Sequence, residues 1–105
     1  MKDATRQEAV ELINSKPNVL VVFTSDRCPV CQKFIPEVLG GIESEMPHLE
    51  ILKVNSTAEK QMFGPDVFPS VYAFKDGNRI DWVKGSAPID VVRQKLLELF
   101  PTKAE

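Results

Sequence analysis

The run Val19-Leu20-Val21-Val22-Phe23 is apolar throughout, with no polar alternation. A strand wetted on one side alternates, whereas an unbroken β-branched and aromatic run is expected where both faces of a sheet are covered. The chain must therefore supply cover for two faces, and the segments on either side have helical patterning. Residues 4–15 place Ala9, Val10, Leu12 and Ile13 on one broad face and leave Arg6, Glu8 and Glu11 for solvent. Thr5 with Glu8 fits a capping box, with Asp3 as the alternative cap. Lys16-Pro17-Asn18 is a break. From Pro29 to about Met46, Phe34, Ile35, Val38, Leu39, Ile42 and Met46 recur at helical spacing. Pro36 inside this segment predicts a kink, and Gly40-Gly41 weaken its middle.

Glu50 to Asn55 reads as a second strand, and strand–helix–strand makes a parallel βαβ unit. Ser56 or Thr57 opens a short helix through Met62, ended by Gly64-Pro65. Val71 to Lys75 is a third strand, Asp76-Gly77-Asn78 a hairpin turn, and Arg79 to Lys84 a fourth strand antiparallel to the third. Pro88 opens a last amphipathic helix with Ile89, Val92, Leu96, Leu99 and Phe100 inward. There is no repeat, low-complexity tract or linker, so residues 1–105 read as one α/β domain.

The formal net charge of −2 offers no basic field for nucleic acid. No apolar stretch approaches the roughly 20 residues that span a bilayer. The start, Met1 to Glu8, is polar and mixed in charge, without the apolar core of a secretory signal, so a cytoplasmic protein is expected; a monomer is the expected state.

Between the first strand and the long helix stands Cys28-Pro29-Val30-Cys31, which holds both cysteines of the chain. A disulfide here would close almost no loop, so it has little to offer as a structural staple. In a reducing compartment such a pair is catalytic or metal-binding more often than structural. Tetrahedral zinc needs about four ligands. The chain has two thiols and one histidine, and His48 falls in a loop at the far end of the long helix. No metal or other cofactor is expected. A helix start stabilises anions through unpaired N–H groups and the helix dipole, and a thiolate is the reactive form of cysteine. The placement points to dithiol–disulfide chemistry at Cys28.

Taken together these segments closely resemble the thioredoxin family over nearly the whole chain. Cys-x-x-Cys follows the first strong strand, and Pro36 lies five residues after Cys31, where the family has its helix proline. Phe68-Pro69-Ser70 sits where it has its cis-proline loop. Val71-Tyr72-Ala73-Phe74-Lys75-Asp76-Gly77 is similar to its strand and turn, and Gly85 to its late glycine. The resemblance implies a thioredoxin-like mixed sheet of about four strands flanked by about four helices. Strand 19–23 is central between 50–54 and 71–75, with 80–84 at one edge and the family's N-terminal strand absent or vestigial.

The resemblance also implies a protein-disulfide reductase in electron transport and cell redox homeostasis. Cys28 attacks a substrate disulfide, and Cys31 resolves the mixed disulfide. Pro69 is cis, and Phe68, Val67 and Pro29 form an apolar rim around substrate, with Phe68 also a candidate for the core. Gly85 allows a close approach of substrate backbone or serves as a turn. The partners implied are disulfide-containing proteins and a thioredoxin-reductase-like or glutathione electron donor.

Three departures alter this pattern. Val22 stands where the family has a buried aspartate that assists the second cysteine, and Arg27 where it has tryptophan. Pro29-Val30 replaces Gly-Pro, a change similar to glutaredoxins. A positive Arg27 and a missing acid both favour the Cys28 thiolate and predict a more oxidising pair. Asp26 and Lys53 are the substitutes for the missing acid. Two other functions compete: a glutathione-linked glutaredoxin-like enzyme, and a redox-silent docking module. The chain lacks the Thr-Val-Pro and Gly-Gly elements that glutaredoxins use for glutathione.

Overall fold

The computed structural model describes residues 1–25, 28–55, 68–85 and 87–101. The expectations for Asp26, Arg27, Val67 and the short helix ending at Met62 fall outside the described residues.

Among the described residues, five strands form one mixed sheet in the order β1-β3-β2-β4-β5. They are β1 (Lys2–Asp3), β2 (Asn18–Thr24), β3 (Glu50–Asn55), β4 (Ser70–Lys75) and β5 (Asn78–Lys84). β2 is central, parallel to β3 and antiparallel to β4, as its apolar run requires. The N-terminal strand survives as two residues of β1, parallel to β3.

Side chains along each strand alternate between two buried layers. Val19, Val21 and Phe23 join Leu52, Val54, Tyr72 and Phe74 under helix α1 (Arg6–Ser15). Leu20 and Val22 join Ile51, Val71 and Ala73 under the helices that follow the cysteines and close the chain. On the first face, Phe23 and Tyr72 meet edge to face at 5.2 Å.

α1 begins with the capping box read from Thr5 and Glu8: Glu8 N–H donates to Thr5 Oγ1 (3.2 Å), and Thr5 N–H to Glu8 Oε1 (2.9 Å). The alternative cap, Asp3, belongs to β1 instead. Ala9 and Ile13 are buried, but Val10 is 41% exposed, against the expectation that it faces inward. The i, i+4 pair Ala9 and Ile13 already covers the sheet, and the next residue along the helix turns about 100° away.

The long helix is three segments: α2 (Pro29–Phe34), a π-helical turn (Ile35–Leu39) and α3 (Gly40–Glu45). Pro36 was expected to kink the helix. The irregularity there is a π-helical turn, in which Gly40 N–H donates to Ile35 O, five residues back. Proline has no N–H to give and its ring crowds the carbonyl four residues earlier, and a wider turn relieves both. Gly41 has a packing role beside its low helix propensity, since a Cβ there would stand 3.2 Å from Ile89 Cδ1 of α4 (Ile89–Leu99).

Val92, Leu96 and Phe100 are buried, with Ile89 and Leu99 partly so. Arg93 clamps α4 to α3, with Nε and Nη2 on the Glu45 carboxylate (2.6 and 3.0 Å) and Nη1 on Asp90 (2.7 Å). The hydrogen bonds from Arg93 hold the Glu45 carboxyl below the usual carboxylate range. At the same end His48 Nε2 lies 3.1 Å from Phe100 O.

The hairpin turn has Asp76 at φ 52° and Gly77 at φ 86°. Positive φ at both central residues matches the right-handed twist of the strands it joins. Among the described residues, no helix is long and apolar enough to cross a membrane.

Candidate active site

The run into the cysteines starts where β2 ends at Thr24. Cys28 N–H donates to Ser25 O (3.1 Å). Cys28 then caps α2, its Sγ accepting the Cys31 N–H at 3.1 Å. Pro29 takes the first helical position, where a missing N–H removes no hydrogen bond and a fixed φ suits the turn. Cys28 and Cys31 are joined as a disulfide with Cα atoms 5.3 Å apart.

The two sulfurs are not equivalent. Cys28 is 8% exposed and Cys31 1%. Pro29 and Val30 stand out into solvent beside them. Both cysteines belong to the apolar layer that includes Val22, Phe34, Ile35 and Val71.

The peptide bond Phe68-Pro69 is cis, as the resemblance implied. β2 and β4 bring this bond to the site, because Phe23 pairs with Ser70 and so sets Pro69 beside the end of β2. Pro69 is buried, while Phe68 is half-buried and packs against both core layers. Both readings of Phe68 therefore hold in part: it is a core residue with an open side. Gly85 N–H donates to Pro69 O (2.8 Å), with φ 77°, a backbone conformation that disfavours any side chain. Among the described residues, a Cβ at Gly85 would meet nothing within 4 Å.

Val22 is fully buried in the layer that holds both cysteines. Its partner on β3 is Lys53, and the partner of Lys53 on β1 is Asp3. Lys53 Nζ lies 3.3 Å from Asp3 Oδ1. Both border an open cleft of about 620 Å³ that reaches Cys31, with Thr24, Ser25, Gln32 and Asn55 among its walls. Sequence reasoning picked out Lys53 but missed Asp3 and the cleft. Among the described residues, no group of three or more His, Cys, Asp or Glu side chains gathers that would hold a metal ion.

This arrangement has counterparts among known proteins. The sequence model of the family described as Thioredoxin matches residues 2–98. Thioredoxin H-type 1 of Nicotiana tabacum is 32% identical over 77 residues, which is 70% of this chain and 60% of that protein. Thioredoxin 1 of Synechococcus elongatus is 30% identical over 89 residues, 82% of this chain and 81% of that one. Among solved structures, Fasciola hepatica thioredoxin superposes with a TM-score of 0.83 at 24% identity, covering 93% of this chain and 98% of its own. Chlamydomonas reinhardtii thioredoxin f2 gives 0.85 at 19% identity, covering 98% and 99%.

Proposed function

The chain belongs to the thioredoxin family of thiol–disulfide oxidoreductases, and from that premise we propose that it reduces disulfides in other proteins through a mixed disulfide on Cys28. The observation that carries this reading is the inequality of the two sulfurs: Cys28 is the more exposed and caps a helix, while Cys31 is buried one turn on.

Reduction of the pair leaves the Cys31 N–H, 3.1 Å from Cys28 Sγ, aimed at a sulfur anion. A hydrogen bond to a charged group contributes about 1.5–3 kcal/mol, which favours the thiolate that attacks. The Cys28 thiolate displaces one sulfur of a substrate disulfide, and that sulfur leaves as a thiolate. Cys31, once deprotonated, attacks Cys28 Sγ and releases the second substrate sulfur. The products are a dithiol substrate and the Cys28–Cys31 disulfide seen here. The exposed Pro29, the open side of Phe68 and the Gly85 backbone provide an apolar and backbone surface for an extended substrate segment. A thioredoxin-reductase-like protein or glutathione in a reducing, cytoplasmic compartment returns the pair to dithiols.

Two variants and a titration test this. With a disulfide-bonded protein as substrate and a chemical reductant, Cys28→Ser should abolish turnover, and Cys31→Ser should accumulate a covalent mixed disulfide. Full turnover by Cys28→Ser would refute the reading. Equilibration of the pair with glutathione should give a potential less negative than the about −270 mV of ordinary thioredoxin, because Val22 places no negative charge beside the sulfurs. A value of about −270 mV or below would refute that charge argument.

A further inference from the structure

To resolve a mixed disulfide, Cys31 must lose its proton inside the protein. It is 1% exposed, and Val22, Phe34 and Ile35 belong to the apolar layer around it. Such surroundings disfavour a thiolate, yet Cys31 must become one to resolve the mixed disulfide. We propose that Asp3, held in place by Lys53, takes up the proton that Cys31 loses, through water in the cleft beside it. This rests on the reading of Cys28 and Cys31 as attacking and resolving thiols.

The register of the sheet makes the arrangement. Val22 on β2, Lys53 on β3 and Asp3 on β1 are successive partners, so the pleat puts all three on one face. That face is the cysteine side, since Val22 and Ile51 pack in the same layer as Cys31. Strands lie about 4.8 Å apart, so the Asp3 backbone stands about 10 Å from that of Val22 in the cysteine layer. The cleft closes the gap. Its volume of about 620 Å³ has room for on the order of 20 waters at about 30 Å³ each. Thr24, Ser25, Gln32 and Asn55 line it with polar groups that can hydrogen-bond those waters.

The charges on the cleft suit proton release. Lys53 presents an ammonium, with its side chain 37% exposed, and Asp3 a carboxylate whose side chain is 83% exposed. Among the described residues, Asp3 is the carboxylate bordering the cleft, which the Met1 ammonium also borders while paired to Glu43 of α3. The ammonium of Lys53 favours negative charge on sulfur, and the hydrated carboxylate passes the proton on to bulk water. In the step itself the Cys31 S–H proton moves to cleft water and then to Asp3. The sulfur electron pair forms the bond to Cys28 Sγ, and the Cys28–substrate bond breaks. Its electron pair leaves with the substrate sulfur, which takes a proton from solvent.

The test separates the two chemical steps. Single-turnover reaction of the reduced full chain with a disulfide-bonded protein, quenched in acid, gives the formation and decay of the mixed disulfide. Asp3→Asn should leave formation unchanged and slow decay about tenfold at pH 7. This falls below the roughly 100-fold low end of acid–base catalysis, because the group is exposed and acts through water. The deficit should shrink as pH rises, because hydroxide then takes the proton without help from the carboxylate. Asp3→Glu should restore the rate, and Lys53→Met should slow the same step. A wild-type decay rate and pH profile in Asp3→Asn would overturn the proposal and leave the reductase reading intact. Equal slowing of formation and decay would overturn it too, by showing a structural effect. If the wild-type chain forms no mixed disulfide at all, the reductase reading falls with it.

Discussion

Placing an acid at the centre of the cysteine layer, Val22→Asp, sets three forces against one another. Val22 is fully buried, with an exposure of 0%. Losing its burial costs about 1.5 kcal/mol, the low end for an aliphatic side chain. A carboxylate in the same space loses hydration worth several kcal/mol. Lys53, the neighbour on β3, returns part of this, but its ammonium is already 3.3 Å from Asp3 and partly in water. Desolvation therefore outweighs pairing, and the ionised form is disfavoured by about 2–3 kcal/mol relative to the unfolded chain. The total loss at pH 7 is about 4 kcal/mol, a large share of the about 5–15 kcal/mol of a typical domain.

The sign with pH follows from that ordering. A carboxyl whose folded value is raised above its unfolded value makes the folded state the better proton binder between the two. Stability of the variant then falls as pH rises through that window, starting near pH 4. Urea denaturation should show a deficit against wild type of about 1.5 kcal/mol near pH 4, growing to about 4 kcal/mol at pH 7. Val22→Asn should show a deficit that does not grow with pH. If the Val22→Asp deficit shrinks as pH rises, Lys53 holds the new carboxylate ionised and the ordering of desolvation over pairing is wrong.

Two stability predictions concern the helices behind the site. Arg93 holds Glu45 below the usual carboxylate range, so the contribution of this pair is present above that range and is lost as pH falls through the lowered folded value. Arg93→Gln should lower stability at pH 7 and flatten this part of the acid limb in a thermal-melt series; an acid limb identical to wild type would refute the pairing. Gly40 has an ordinary helical φ of −62°, and a Cβ there would meet only Ile35 O at 3.9 Å. Gly40→Ala should therefore stabilise by about 0.5–1 kcal/mol in urea denaturation, whereas Gly41→Leu should destabilise, because its side chain must displace Ile89. A destabilised Gly40→Ala would show that the π-helical turn before it needs glycine.

What could be read from the sequence was what short stretches determine. The apolar run of β2 announced a strand covered on both faces, and Thr5 with Glu8 announced the helix cap. The cysteines fell at a strand-to-helix junction because an unbroken apolar, β-rich run ends before them and helical spacing begins after them. Pro36 marked an irregular place in the helix, but propensity says only that an ordinary turn is disfavoured there. Whether the backbone bends or widens depends on what packs against it. Val10 misled for a related reason: a helical pattern gives an apolar arc, and the sheet beneath decides how much of that arc is covered.

Asp3 was illegible for a deeper reason. Its neighbours in the sequence make it a helix cap or a frayed end. Its neighbours in space are set by the register of β1 on β3 and β3 on β2, and a shift of one residue in either pairing would send its side chain to the opposite face. Lys53 and Asn55 lie on β3, Thr24 and Ser25 at the end of β2, and Gln32 on the helix after the cysteines; the fold gathers them with Asp3 around one cleft. The same register explains how Val22 is tolerated. An acid there would have to be desolvated in the layer that holds both sulfurs, whereas a carboxylate two strands away stays hydrated and still borders the cleft that reaches Cys31. Under the proposed mechanism, a negative charge placed outward keeps proton release possible for Cys31 without repelling the Cys28 thiolate. The two residues should therefore be coupled: Val22→Asp together with Asp3→Asn should resolve mixed disulfides faster than Asp3→Asn alone, and additive losses in that double variant would sever the link between them.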